Sequence, residues 1–135
     1  MGEQGVLLPT TALYDGSGLS RSDRLSAAQL VALVTQMFDP AKVAFTPLAS
    51  SLPVAGVSGT LRASFGRYSR APSSCANGLV RAKTGTLDDV VSLAGYTTGA
   101  DGRVKAFAFV VNGMGDSLAL KQRVDNLAAT VTGCY

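Results

Sequence analysis

The C-terminal half of this chain constrains its fold most. Three stretches, Leu79–Leu87, Val90–Thr98 and Val104–Val111, are rich in β-forming residues and read as strands. The second and third are joined by Gly99–Ala100–Asp101–Gly102, whose Asp-Gly pair is a hairpin signal. In the third stretch Phe107 and Phe109 share one face, while Ala106, Ala108 and Val110 share the other. Both faces are apolar, so this strand is expected to be covered on both sides.

Helices supply the cover. Asn112–Gly115 breaks the sheet, and Asp116 or Ser117 starts a final helix with Leu120, Val124, Leu127, Ala128 and Val131 as its stripe. Upstream, Ser26 and Gln29 have capping-box spacing ahead of Leu30, Leu33, Val34 and Met37. Asp39-Pro40 ends that helix, because proline disfavours helical geometry in the residue before it. Residues 5–14 read as extended, with Pro9 blocking a helix, and Asp15–Gly16–Ser17–Gly18 as a turn. Residues 42–66 leave room for one or two short helical turns, and residues 67–78 are loop by composition. The fold class expected is α+β, a three-stranded antiparallel sheet packed by helices. A length of 135 residues suits one domain, and no apolar run is long enough to span a membrane.

Composition removes whole chemistries. There is no His, which excludes an imidazole-based triad and any His-containing zinc site. Two Cys cannot make a four-thiolate site, so neither metal nor cofactor is expected. The net charge of +3 is unevenly spread. No acidic residue lies between Asp39 and Asp88, whereas Lys42, Arg62, Arg67, Arg70, Arg81 and Lys83 all do. A solvated basic face is the expectation. Nucleic acid is not expected, since only Phe65 and Tyr68 accompany the basic residues and no reading motif does.

Cys75 and Cys134 are 59 positions apart. In an oxidising compartment they are expected to pair, tying down the C-terminus and stabilising by about 4 kcal/mol in the loop-entropy account. Met1–Gly5 lacks the basic start and apolar core of a signal peptide.

Several motif readings fail on inspection. Lys83-Thr84 resembles the end of a phosphate-binding loop, but Ala82 and Asn77 stand where that motif needs glycine. Gly16/Gly18 and Gly113/Gly115 lack the third glycine of a dinucleotide fingerprint. Ser17 directly follows Gly16, so it does not fit a Gly-x-Ser-x-Gly nucleophile elbow.

What remains is Lys83-Thr84-Gly85, with Thr86 following, on the first expected strand. Each residue has a physical use. Lys83 supplies an ammonium beside a reaction centre and a carboxylate. Thr84 offers that carboxylate a hydroxyl. Gly85 lets a peptide lie along the strand, and the Thr86 amide can donate to a developing oxyanion. Strict alternation, however, puts Lys83 and Thr84 on opposite faces. Both serve one ligand only if their strand lies at a sheet edge.

Lys-Thr-Gly resembles the third signature of the penicillin-recognising serine enzymes. Asp15–Arg21 (DGSGLSR), a helix, residues 52–61 (LPVAGVSGTL) and then AKTGTL follow in an order similar to one family. These are the D-alanyl-D-alanine carboxypeptidases/endopeptidases of the class C penicillin-binding proteins, serine peptidase family S13. The resemblance runs from about Leu13 to the end.

It implies part of a transpeptidase-like domain in an extracytoplasmic enzyme. Such an enzyme cleaves terminal D-Ala from peptidoglycan stem peptides and reacts covalently with penicillins and other β-lactams. Lys83, Thr84 and Gly85 match the third active-site motif, with Thr86 on the oxyanion side. Arg21 is either a contact for an anionic group on the stem peptide or a brace for its own turn. Asp15, Gly16 and Gly18 read as turn chemistry, and Asp88 and Asp89 have no obvious acid–base partner.

The departure from the family is large. There is no Ser-x-x-Lys, and Ser74-Cys75-Ala76-Asn77 has one residue too many for Ser-x-Asn. Without that serine and lysine, acyl transfer has neither nucleophile nor base. Residues 1–135 are therefore expected to be the C-terminal segment of a DD-peptidase domain, inactive without the upstream, nucleophile-bearing part of the same protein. The alternative is a non-catalytic module binding peptidoglycan or a partner.

Overall fold

The computed structural model describes residues 11–135. The signal-peptide reading of Met1–Gly5 and most of the extended segment 5–14 therefore lie outside the described residues. Its end is extended: Ala12 and Arg24 exchange backbone hydrogen bonds of 3.2 and 2.7 Å in an antiparallel bridge.

Helix α1 (Ala27–Gln36) begins where its sequence signals place it. Ser26 accepts from the Gln29 amide and the Gln29 side chain accepts from the Ser26 amide, so both arms of the capping box form. It stops at Gln36, before Pro40. A short helix α2 (Thr46–Ser51) and turns of 3₁₀ helix at Val43–Phe45, Gly59–Leu61, Ala63–Phe65 and Ser73–Ala76 carry the chain to the sheet.

The sheet is a meander of β1 (Val80–Leu87), β2 (Val90–Thr98) and β3 (Val104–Asn112), antiparallel throughout and in the order β1-β2-β3. Its register aligns Lys83 with Ala94 and Ala108, and Thr84 with Leu93 and Phe109. One face, carrying Val80, Ala82, Val91, Leu93 and Phe107, packs on helix α3 (Leu118–Thr132) through Leu120, Val124, Ala128 and Ala129. Helix α1 lies against β2 and β3. Helices on both sides of β3 thus give the fold its α+β layering. Gly95 is required in the middle of β2, because a Cβ there would stand 2.1 Å from the Arg81 carbonyl oxygen.

Ser117 caps α3 and Gly133, at φ +83°, ends it. The buried stripe is rotated from the expected one. Leu127 is 47% exposed, while Asp125 is 0% exposed beside Val124. The cause is a distant partner: Arg67 binds Asp125 through two charge-assisted bonds, Nε to Oδ2 at 2.8 Å and Nη2 to Oδ1 at 2.6 Å. This also corrects the expected basic face, since Arg67 is buried rather than solvated. Cys75 and Cys134 form a disulfide with Cα atoms 6.0 Å apart, fastening the Ser73–Ala76 turn to the residues just beyond α3.

Candidate active site

β1 is an edge strand among the described residues, and its outer side is only half covered. Ala55 N–H donates to the Val80 carbonyl at 2.9 Å, and Ala82 N–H donates to the Pro53 carbonyl at 3.0 Å. These bonds show that the even-numbered residues of β1 turn their backbone groups away from β2. Since that direction repeats every second residue in an antiparallel strand, the amides and carbonyls of Thr84 and Thr86 point outward too. No strand pairs with them there among the described residues.

The side chains alternate as the sequence requires. Lys83 and Gly85 share a face with Ser92 and Ala94, where a hollow of about 240 Å³ is closed by Leu33 and Val34 of α1 and by Met37 just beyond it. Thr84 and Thr86 lie on the other face, in a hollow of about 410 Å³ that also has Thr60, Phe65, Arg67, Leu118 and Lys121 in its wall. The Lys83 ammonium curls over the strand edge and donates to the Thr84 carbonyl at 2.7 Å. Lysine and threonine thus meet at the edge although they leave the backbone on opposite sides. The Thr84 and Thr60 hydroxyls are 2.8 Å apart and hydrogen-bonded.

Gly85 has a local packing reason as well, for a Cβ there would meet Ser92 Oγ at 2.4 Å. That oxygen donates to the Gly85 carbonyl at 3.3 Å.

Arg21 lies at the end of β1, in a neighbouring hollow that shares Leu30 and Ser92 with the one beside Lys83. Its guanidinium pairs with Asp89 and lies 3.7 Å from Asp88, the two residues that turn β1 into β2. It helps line a hollow of about 620 Å³ with Arg24, Leu30 and Ser92 at that end of the sheet. This explains the Asp88–Asp89 pair without acid–base chemistry: the arginine gathers the turn. The DGSGLSR segment is itself folded by Asp15, which accepts from Ser17 Oγ at 2.7 Å and from the Gly18 amide at 3.0 Å. The Ser17 hydroxyl holds the Asp15 carboxyl below the usual carboxylate range.

Behind the threonine-lined hollow stands the Arg67–Asp125 pair with Tyr68. Burial pushes the Asp125 carboxyl up, and the Arg67 guanidinium pulls against it. Burial, reinforced by the charge of Asp125, pushes the Tyr68 phenol up as well. Sequence reasoning missed Thr60 and Asp125 as members of this neighbourhood. Their partners lie 24 and 58 positions away, and neither spacing has a local signal.

The profile of the D-Ala-D-Ala carboxypeptidase 3 (S13) family matches residues 1–132. The chain belongs to this family. It is 39% identical over 131 residues to carboxypeptidase DacB of Mycolicibacterium smegmatis, covering 96% of this chain and 27% of that protein. It is 41% identical over 114 residues to the D-alanyl-D-alanine carboxypeptidase of Actinomadura sp. strain R39, covering 81% of this chain and 20% of that one. The crystal structure of penicillin binding protein 4 (dacB) from Haemophilus influenzae, complexed with a novel β-lactam, is similar with a TM-score of 0.78 and 29% sequence identity. That match covers 97% of this chain and 30% of the Haemophilus chain. This S13 chain spans about a quarter of the length of the curated relatives it matches. No helix among the described residues is long and apolar enough to cross a membrane.

Proposed function

We propose that this chain supplies the Lys-Thr-Gly wall of a serine-type D-Ala-D-Ala carboxypeptidase/endopeptidase. The enzyme acts on peptidoglycan stem peptides and is acylated by penicillins. The observation that carries this reading is the open edge of β1 from Thr84 to Thr86 in a chain of the S13 family.

A stem peptide adds to that edge as a further strand, through the outward backbone groups of Thr84 and Thr86. The Thr84 and Thr86 hydroxyls, on one face, receive the terminal carboxylate. The Lys83 ammonium, held at the Thr84 carbonyl, brings positive charge to the scissile bond from the other face. The Thr86 amide donates to the oxyanion that forms when the carbonyl is attacked. The attacking serine and its lysine come from the remainder of the domain, because these 135 residues contain no Ser-x-x-Lys. The Cys75–Cys134 disulfide supports an extracytoplasmic, cell-envelope location for the whole enzyme.

Fluorescent penicillin tests the division of labour. The purified 135-residue chain should give no covalent band. A protein joining it to a Ser-x-x-Lys segment should label, and should do so on the order of 100-fold more slowly with Lys83→Ala. A covalent band from the chain alone would overturn the proposal.

A further inference from the structure

We propose that Thr60 is a positioning residue for Thr84: it donates its hydroxyl proton to Thr84 Oγ1, so that the single proton of Thr84 is free for a ligand carboxylate. The inference deepens the function proposed above and rests on it. The two oxygens are 2.8 Å apart, a distance that allows either hydroxyl to donate. The chemistry of the ligand decides between the two directions. A carboxylate only accepts, so Thr84 can bind one only by donating. Its oxygen must then accept from Thr60. A relay in this direction also polarises the Thr84 hydroxyl and strengthens its outgoing bond.

The fold holds Thr60 in place for this. Pro53–Ala55 is pinned to the outer edge of β1 by the bonds to Val80 and Ala82. The chain then turns back at Gly59, whose φ is +54° and whose missing Cβ would approach the Pro53 ring at 3.0 Å. The turn is closed by Gly56 N–H donating to the Leu61 carbonyl at 2.8 Å, and anchored by Leu61, which is fully buried. Thr60, between these fixed neighbours, has little freedom to leave the Thr84 hydroxyl.

A purely structural role explains the contact poorly. Thr60 is exposed and Thr84 only half-buried, so water would satisfy both hydroxyls if they parted. The pair therefore does little for stability and much for the direction of one proton. Lys121 and Arg67 in the wall of the same hollow are already paired, with Asp116 at 2.8 Å and Asp125 at 2.6 Å. The threonines are what supply that hollow with aimed hydroxyls.

The test compares two substrates in the full-length protein: an N-acylated peptide ending in D-Ala-D-Ala and the same peptide amidated at its C-terminus. The wild type should favour the free carboxylate in kcat/KM. Thr60→Val, which keeps the side-chain shape, should narrow that preference roughly three- to ten-fold, the worth of one neutral hydrogen bond. Thr60→Ser should restore it. Thr60→Ala should narrow it as Val does, which keeps the test open if the valine packs badly. Equal losses on both peptides, no change on either, or failure of serine to rescue would each overturn the role of Thr60. Thr84→Val separates this from the underlying reading. If that variant collapses the preference while Thr60→Val does not, only the positioning role falls. If the wild type has no preference, or Thr84→Val leaves it intact, the carboxylate assignment of Thr84 falls first.

Discussion

Replacing Arg67 by methionine should cost far more than an ordinary surface arginine would. Methionine fills much of the arginine's volume but leaves Asp125 with no countercharge at a fully buried position. Arg67 makes two bonds to that carboxylate, at 2.8 and 2.6 Å, and both vanish. Removing one partner of a buried pair typically costs about 3–5 kcal/mol. The loss should also depend on pH, with a definite sign. Burial already raises the folded-state pKa of Asp125 above its unfolded value of 3.8, and Arg67 is what restrains it. Without Arg67 the folded state holds its proton to higher pH, while the unfolded chain ionises near 3.8. Where the native state binds more protons, stability falls as pH rises. The deficit of Arg67→Met relative to wild type should therefore be small below the unfolded pKa. It should grow upward through the window between the folded-state values of the wild type and of the variant, by at most about 1.4 kcal/mol per pH unit. Urea unfolding of both proteins at constant ionic strength from pH 4 to 8 measures it. A second variant, Arg67→Met with Asp125→Leu, removes the orphaned charge and should recover most of the loss. A single-variant deficit below about 1 kcal/mol, or one flat across pH, would refute the reasoning.

Three further outcomes follow from the geometry. Cys75→Ser with Cys134→Ser opens a link between positions 59 apart and should cost about 4 kcal/mol in the loop-entropy account, read as a lower urea midpoint. An unmodified chain whose mass does not rise by about 2 Da on reduction would contradict that link. Gly95→Ala places a Cβ on the Arg81 carbonyl and on Ala82, both in the facing strand, and should destabilise by roughly 1–3 kcal/mol with faster amide exchange along β1. Arg21→Ala removes an exposed ion pair, so global stability should move by less than about 1 kcal/mol, with amide exchange quickening only around Asp88 and Asp89.

How far the sequence could be read depended on whether the deciding interaction was local. The capping box of α1, the β-rich runs and the Asp-Gly connection act within a few residues, and all three appear where composition places them. The stripe of α3 is shifted from the expected one, with Leu127 exposed and Asp125, Ala129 and Thr132 buried. Helical periodicity treats Leu127 as core and Asp125 as surface, and the opposite holds, with Arg67 supplying the buried partner that Asp125 needs. The site divides in the same way. Lys83, Thr84, Gly85 and Thr86 are adjacent in sequence and were legible as a group. Thr60 was not, because its turn reaches Thr84 only after Pro53–Ala55 has paired with β1.

That pairing bears on the apparent contradiction in the motif. A lysine and a threonine side by side on a strand cannot face the same way, and in the middle of a sheet they would serve two different compartments. At an edge the constraint relaxes, since a ligand lying alongside the strand borders both faces at once. Pro53–Ala55 pairs with the Val80 carbonyl and the Ala82 N–H and leaves the outer backbone groups of Thr84 and Thr86 unpaired by strand. The length of the open edge is thus set by where residues 53–55 turn away, and under the proposed function a residue pair kept apart by alternation would serve one ligand through the gap. Extending the cover by four residues, opposite Lys83 through Thr86, would close the gap without touching Lys83, Thr84 or Thr86. A chain lengthened in this way between Leu52 and Pro53 should keep its fold and lose peptide binding, and binding that survived full pairing of Thr84 and Thr86 would show that the ligand does not use the edge.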